Sequence, residues 1–84
     1  MREYQPLYSE AAVEIILGLP KRRQQKFLAV CQQLARDPFV KPDYSITDSD
    51  SREIGHILIE GFVIAYWVDH PVCKVMIVEV DDVR

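Results

Sequence analysis

The spacing of apolar residues in the first half of the chain predicts two consecutive helices. The first spans residues 9–18, beginning at a serine that can cap it and ending at a glycine. The second spans residues 20–36 and ends before an Asp-Pro pair, because the residue before proline avoids helical geometry. Their apolar stripes consist of Ala12, Val13, Ile16, Leu17, Phe27, Val30, Cys31 and Leu34. Since the helices are nearly contiguous, we expect a hairpin that needs a further layer to bury its stripes.

Alternating apolar and polar residues predict strands in the rest of the chain. The predicted strands are residues 4–8, 53–59, 62–69 and 73–80. Pro6 lacks an N–H donor and confines the first strand to a sheet edge. Glu60-Gly61 fits a two-residue hairpin turn, and residues 37–51, rich in Pro, Ser and Asp, indicate a long loop.

These elements define an α+β fold in a single domain over residues 1–84. We expect the helix hairpin to pack on one face of a three- to four-stranded antiparallel sheet, in the order β-α-α-β-β-β.

Composition and charge narrow the range of functions that the chain can have. The chain has 84 residues and a formal net charge of −3, which does not favour nucleic acid or an anionic membrane. Cys31 and Cys73 are too few for a disulfide framework and lack metal-ligand spacing. We therefore expect a cytoplasmic protein with reduced thiols, and no metal, cofactor or membrane segment.

A basic cluster lies at the start of the second helix and consists of Lys21, Arg22, Arg23 and Lys26. These cations are candidates for binding nucleic-acid phosphates or an acidic partner. The alternative is a solvated helix face, since the chain is acidic overall and no stacking aromatic residues interleave with the cluster.

Three polar residues on or beside the strands could form a catalytic set. Phosphodiester cleavage needs a proton acceptor, a proton donor and a cation, and His56, Tyr66 and Arg52 could fill these roles. Whether His56 and Tyr66 share a face depends on strand register. The alternative is that they are unrelated strand residues, with His56 satisfied by one hydrogen bond.

The 62–69 strand has an apolar residue on both of its faces. Val63, Ala65 and Trp67 lie opposite the face that carries Tyr66, and only one face can pack on the helices. We expect these three residues to form an apolar surface for a partner or a second copy of the chain. The alternative places Trp67 in the core and Tyr66 outside.

Several short runs occur in a fixed order along the chain. They are Ser9-Glu10-Ala11-Ala12, Leu19-Pro20, Leu34-Ala35-Arg36-Asp37-Pro38, Gly61-Phe62-Val63-Ile64-Ala65-Tyr66 and Val68-Asp69, before a final aliphatic strand. In order and spacing the chain resembles the RelE/ParE toxin superfamily over essentially its whole length.

The resemblance implies a bacterial or archaeal toxin of a type II toxin–antitoxin, or plasmid-stabilisation, module. Its RelE-like members cleave mRNA on the ribosome and its ParE-like members inhibit DNA gyrase, and a small antitoxin wraps and neutralises the toxin. It implies an endoribonuclease only if the catalytic site is retained. Tyr66 matches the closing tyrosine of the family pattern, and His56 falls where a basic residue is common. Leu58 and Val63, however, stand where arginines are expected, and the chain ends at Asp81-Asp82-Val83-Arg84 without a basic or aromatic tail. The alternative is therefore a catalytically degenerate interaction module of the same fold, for instance a homodimer.

Overall fold

A computed structural model describes residues 3–83 and contains two helices and five strands within that range. The elements are β1 (Gln5–Tyr8), α1 (Glu10–Gly18), α2 (Lys21–Arg36), β2 (Tyr44–Thr47), β3 (Glu53–Ile59), β4 (Phe62–Asp69) and β5 (Lys74–Asp82). The predicted α+β class and the helix hairpin are confirmed, with bounds within two residues of those expected. The predicted domain also includes residues 1, 2 and 84, which lie outside the described residues.

The strands form one sheet in the order β1-β5-β4-β3-β2. The β2–β3, β3–β4 and β4–β5 pairs are antiparallel, as predicted, whereas β1 runs parallel to β5. The sheet is therefore mixed and has five strands rather than three or four. The edge position predicted for the first strand is confirmed, because β1 stands at one end of the strand order, beside β5.

The extra strand, β2, lies inside the segment predicted as a loop. It pairs with the first half of β3, from Tyr44 opposite His56 to Thr47 opposite Glu53. The Asp48 carboxylate closes the connecting turn by accepting hydrogen bonds from the backbone N–H groups of Asp50, at 2.9 Å, and Arg52, at 2.8 Å. β2 is short and exposed, and turn-forming residues surround it in the sequence. The sequence therefore predicts a loop where the structure has a strand.

Both helices pack on the same face of the sheet, and the core lies between the helices and that face. Phe27 of α2 meets Phe62 of β4 edge to face, with ring centroids 5.1 Å apart, and both side chains are fully buried. The remaining core residues are Ala12, Ile16, Val30, Cys31, Leu34, Ala35, Ile57, Ile64, Tyr66, Val75, Ile77 and Val80.

Ser9 joins the first helix to the last strand. Its Oγ accepts a hydrogen bond from the Ala12 N–H at 3.1 Å and donates one to the Val78 carbonyl at 2.7 Å. Its backbone N–H donates to the Ile77 carbonyl at 2.9 Å. The predicted cap therefore also fixes α1 against β5.

The β3–β4 hairpin has the predicted two-residue turn. Glu60 and Gly61 have φ angles of 54° and 81°, the two positive values that a tight hairpin turn needs. The turn places Ile59 opposite Phe62 and His56 opposite Ala65. In the part of the chain that is described, no helix is long and apolar enough to cross a membrane.

Candidate functional site

The face of the sheet turned away from the helices is called the outer face here. Register and alternation place on it residues of all five strands: Leu7, Tyr44, Ile46, Ile54, His56, Leu58, Val63, Ala65, Trp67, Met76, Val78, Glu79 and Asp81. Leu58 is 58% exposed and Ile46 is 55% exposed, so large apolar side chains reach solvent there. An exposed apolar surface of this kind is typical of an interaction site.

The predicted partner-binding residues lie together on the outer face. Val63 and Trp67 are half-buried and Ala65 is buried between neighbouring strands. The Arg52 guanidinium stacks on the Trp67 ring, 4.1 Å from its centroid. Tyr66 points to the helices and is 4% exposed, so the alternative with Tyr66 outside and Trp67 in the core does not describe this sheet.

The proposed catalytic residues do not come together on one face. His56 pairs with Ala65 on the outer face, whereas Tyr66 pairs with Gly55 and faces the helices. The Tyr66 hydroxyl donates to the Val40 carbonyl at 3.4 Å. Burial, together with the negative charges of two nearby aspartates, raises the pKa of Tyr66 above its ordinary value.

Arg52 and His56 both line a shallow depression of about 330 Å³ on the outer face. His56 stacks on Tyr44 with ring centroids 4.7 Å apart, and its Nδ1 lies 3.2 Å from the Ile54 carbonyl oxygen. The depression therefore offers one imidazole and one guanidinium, both held against aromatic rings, together with the carboxylates of Asp48 and Glu79. Such an arrangement can bind a flat or apolar group.

The positions where the resemblance predicts arginines are occupied by aliphatic residues of the outer face. Leu58 and Val63 lie directly opposite each other across the β3–β4 hairpin. Two arginines there would add two cations to the outer face next to His56. With leucine and valine, this end of the face is apolar instead.

The basic cluster of α2 divides into a structural and an exposed part. Arg23 is 9% exposed, and its Nη2 atom lies 2.8 Å from Asp82 Oδ1 while Nη1 donates to the Glu60 carbonyl at 3.2 Å. Its guanidinium also stacks on the Phe62 ring at 3.9 Å. Lys26 Nζ lies 3.3 Å from Glu60 Oε2, whereas Lys21 and Arg22 are exposed. Arg23 is therefore held by the fold, and Lys21 and Arg22 remain accessible for a phosphate.

Two groups of residues at the surface of the sheet were not predicted from the sequence. Tyr44 and Ile46 belong to β2 and extend the outer face, and the alternation in Tyr-Ser-Ile-Thr was the available signal. At the end of the sheet, Phe39 is 74% exposed and stacks on His70, which in turn lies 2.8 Å from the Tyr4 hydroxyl. The sequence separation of these three residues leaves no local pattern that would reveal the contact. Within residues 3–83, no group of three or more His, Cys, Asp or Glu residues is placed to hold a metal ion.

No family model and no curated protein matches the sequence. Solved structures do match the fold. The chain is similar to a component of the toxin–antitoxin complex RelBE2 from Mycobacterium tuberculosis, with a TM-score of 0.79, 20% identity and coverage of 98% of this chain and 93% of that one. It is also similar to a chain of the archaeal RelE–RelB complex from Pyrococcus horikoshii, with a TM-score of 0.71, 14% identity and coverage of 96% of both chains.

A third similarity involves a toxin crystallised alone. The isolated RelE toxin of Escherichia coli aligns with a TM-score of 0.72 and 14% identity, over 96% of this chain and 85% of that one. The molecule thus has an α+β architecture that chains of toxin–antitoxin complexes share. More specifically, it has the fold of the RelE toxin, and the resemblance inferred from the sequence is confirmed at the level of fold.

Proposed function

We propose that this chain is the toxin component of a type II toxin–antitoxin module and is neutralised by a small antitoxin polypeptide. The observation that carries the proposal is the match of nearly the whole chain, 96–98% of it, to RelE folds. The exposed apolar residues of the outer face support a polypeptide partner. Both cysteines are buried free thiols, which suits the reducing cytoplasm, where such a toxin would act.

The test is expression of the chain alone in a bacterial host, with and without the product of the adjacent short reading frame. Growth arrest by the chain alone, relieved by co-expression and accompanied by co-purification of the two products, is the expected result. Circular dichroism of the purified chain establishes that it is folded. Normal growth with abundant folded protein would contradict the proposal.

The target of such a toxin is either ribosome-bound mRNA or gyrase. For RNA cleavage, Arg52 and His56 on the outer face would act on the substrate, with Arg52 as the cation and His56 as the proton acceptor. Tyr66 would have to contribute from the other side of the sheet. Primer extension on cellular mRNA and a DNA supercoiling assay distinguish the two targets.

Variants test the catalytic residues against the accessible cations. Arg52→Gln and His56→Gln should abolish arrest and cleavage if the outer face is catalytic, while Arg22→Gln, on the accessible part of the basic cluster, reports whether phosphate binding by α2 contributes. Arrest that persists in the first two variants would remove those residues as catalysts.

A second candidate function is a non-toxic interaction module of the same fold. The aliphatic Leu58–Val63 pair favours it, because among residues 3–83 the outer face then carries one exposed guanidinium where RNA cleavage would need several cations. A folded chain that causes neither arrest nor cleavage, yet binds the adjacent gene product or forms a dimer, would establish this function.

A further inference from the structure

Helix α1 is apolar on all of its sides, although it lies at the surface. Six of its nine side chains are apolar, yet only Ala12 and Ile16 are buried. Val13, Ile15 and Leu17 are 40%, 44% and 72% exposed. In α2, by contrast, most exposed positions carry lysine, arginine or glutamine. Because a helix that is apolar all round is normally buried, the composition of α1 indicates that a further surface covers it.

The most exposed of these side chains, Leu17, stands where α1 meets the turn to α2. Residues 17–22, which include that turn, are called the hairpin tip here. The Ile16 carbonyl accepts hydrogen bonds from the Leu19 N–H at 3.1 Å and from Gln24 Nε2 at 2.9 Å, and these two bonds fix the tip. A surface that is already rigid loses little conformational entropy when it associates.

Charged residues flank Leu17 in a self-complementary order. Glu14 lies three residues before it, and Lys21 and Arg22 follow it after the turn. All three charged side chains are exposed, and among the described residues none of them makes a hydrogen bond or an ion pair. A two-fold axis beside Leu17 and perpendicular to α1 brings the residues before Leu17 in one copy next to those after it in the other. The acidic flank of each copy then faces the basic flank of the other.

The other charged groups around the hairpin are paired or lie away from the tip. The ion pairs are Arg23 with Asp82 and Lys26 with Glu60. Glu79 and Asp81 belong to the outer face of the sheet, on the far side from the helices, and Arg36 ends α2 at its opposite end. Glu10 is about 6 Å further along α1 than Glu14 and adds a second carboxylate to the acidic flank. Each copy therefore presents two carboxylates and two cations.

We propose that the free chain forms a weak two-fold dimer through the hairpin tip, with Leu17 at its centre and the oppositely charged flanks paired across the axis. An acidic or a basic partner protein would satisfy one flank only, whereas a second copy satisfies both. The interface is built around one short helix and is smaller than the about 800 Å² per partner of a standard complex, so we expect a dissociation constant of about 100 µM. The outer face stays open in both copies.

Sedimentation velocity from about 5 to 500 µM measures the association, and we expect the monomer to convert to a dimer over that range. Leu17→Asp places two carboxylates together at the axis and should raise the dissociation constant at least about tenfold. Leu58→Asp changes a similarly exposed leucine on the outer face and is the matched control, which should leave the dissociation constant unchanged. Circular dichroism checks that both variants are folded.

Charge reversal tests the pairing itself. Glu10→Lys combined with Glu14→Lys makes both flanks basic, and Lys21→Glu combined with Arg22→Glu makes both flanks acidic. Each double variant alone should stay monomeric, because like charges meet across the axis. An equimolar mixture should sediment as a heterodimer, since each flank then meets its opposite, and its formation also shows that both variants are folded.

The proposal is overturned by a chain that stays monomeric at about 500 µM, by a dimer that Leu58→Asp dissociates and Leu17→Asp does not, or by double variants that fail to associate when mixed. These results do not depend on toxicity. A chain that dimerises through the tip but never arrests growth would refute the toxin proposal and support the dimer. A monomeric chain that arrests growth would do the reverse.

Discussion

Replacing Arg23 with methionine tests whether the most buried cation of α2 belongs to the fold or to a nucleic-acid site. The guanidinium forms an ion pair with Asp82 at 2.8 Å, donates to the Glu60 carbonyl at 3.2 Å and stacks on Phe62 at 3.9 Å. Methionine retains much of the aliphatic packing but loses all three polar interactions. The fold should therefore be destabilised.

The magnitude follows from how far the pair is desolvated. Removing one partner of a fully buried ion pair costs about 3–5 kcal/mol. Here the side chains of Arg23 and Asp82 are 11% and 28% exposed, so Asp82 can partly rehydrate. With the stacking and the carbonyl hydrogen bond included, we expect a loss of about 2–4 kcal/mol. That is a large part of the stability of a chain this short, and the melting temperature should fall by at least about 10 °C.

The assay is urea denaturation followed by circular dichroism, with Arg22→Met as the matched control. Arg22 is the exposed neighbour, and its replacement should change the free energy of unfolding by less than about 0.5 kcal/mol. A double-mutant cycle with Asp82→Asn isolates the ion pair. Equal, small effects of both methionine variants would refute the reasoning and return Arg23 to the set of cations available for phosphate.

Three further predictions concern the remainder of the fold. Ser9→Ala loses the α1 cap and the Val78 hydrogen bond, and should lower the free energy of unfolding by about 1–2 kcal/mol; an unchanged urea midpoint would contradict this. Burial raises the pKa of Cys31 to about 12, so the native state requires the neutral thiol. Because this folded pKa lies above the unfolded value, the contribution is complete below about pH 8.5 and falls by up to about 1.4 kcal/mol per pH unit above it. Cys31→Ala should remove the slope between about pH 8.5 and 10, since burial also raises the pKa of Tyr8 and that phenol adds its own slope only above about pH 10. Gly55→Ala would place a Cβ 3.0 Å from Pro42 and should destabilise by about 1–3 kcal/mol, whereas Gly18→Ala meets nothing within 4 Å and should stabilise by up to about 1 kcal/mol in thermal melts.

The elements that could be predicted from the sequence are those with a local cause. Ser9 and the Asp-Pro pair limit the helices whatever surrounds them, and the Glu60-Gly61 turn fixes the β3–β4 register by counting outward from Ile59 and Phe62. That register would already have separated His56 from Tyr66, because an odd offset across the hairpin places them on opposite faces.

The features that escaped prediction depend on contacts distant in sequence. No residue in Gln5–Tyr8 encodes the direction of β1. β1 is parallel to β5 because its position is set by the helices and by its partner strand, which comes from the other end of the chain. β5 carries a register shift opposite Ala65 and Tyr66, so its core residues Val75, Ile77 and Val80 break the period of two. β2 was hidden because its four residues are all exposed and their alternation of apolar and polar residues is too short to stand out within a segment rich in turn-forming residues.

The Leu58–Val63 pair connects the energetics of the sheet to the choice between the two proposed functions. Arginines at directly opposed positions of a hairpin repel each other, and that repulsion destabilises the free protein until an anion neutralises it. Leucine and valine remove the repulsion and add a cross-strand apolar contact. This hairpin is therefore expected to be stable without a bound anion. The same exchange removes two cations from the surface that would bind a scissile phosphate. The outer face is therefore better built to bury an apolar partner than to stabilise developing negative charge, and binding is the property of this surface on which both proposed functions depend.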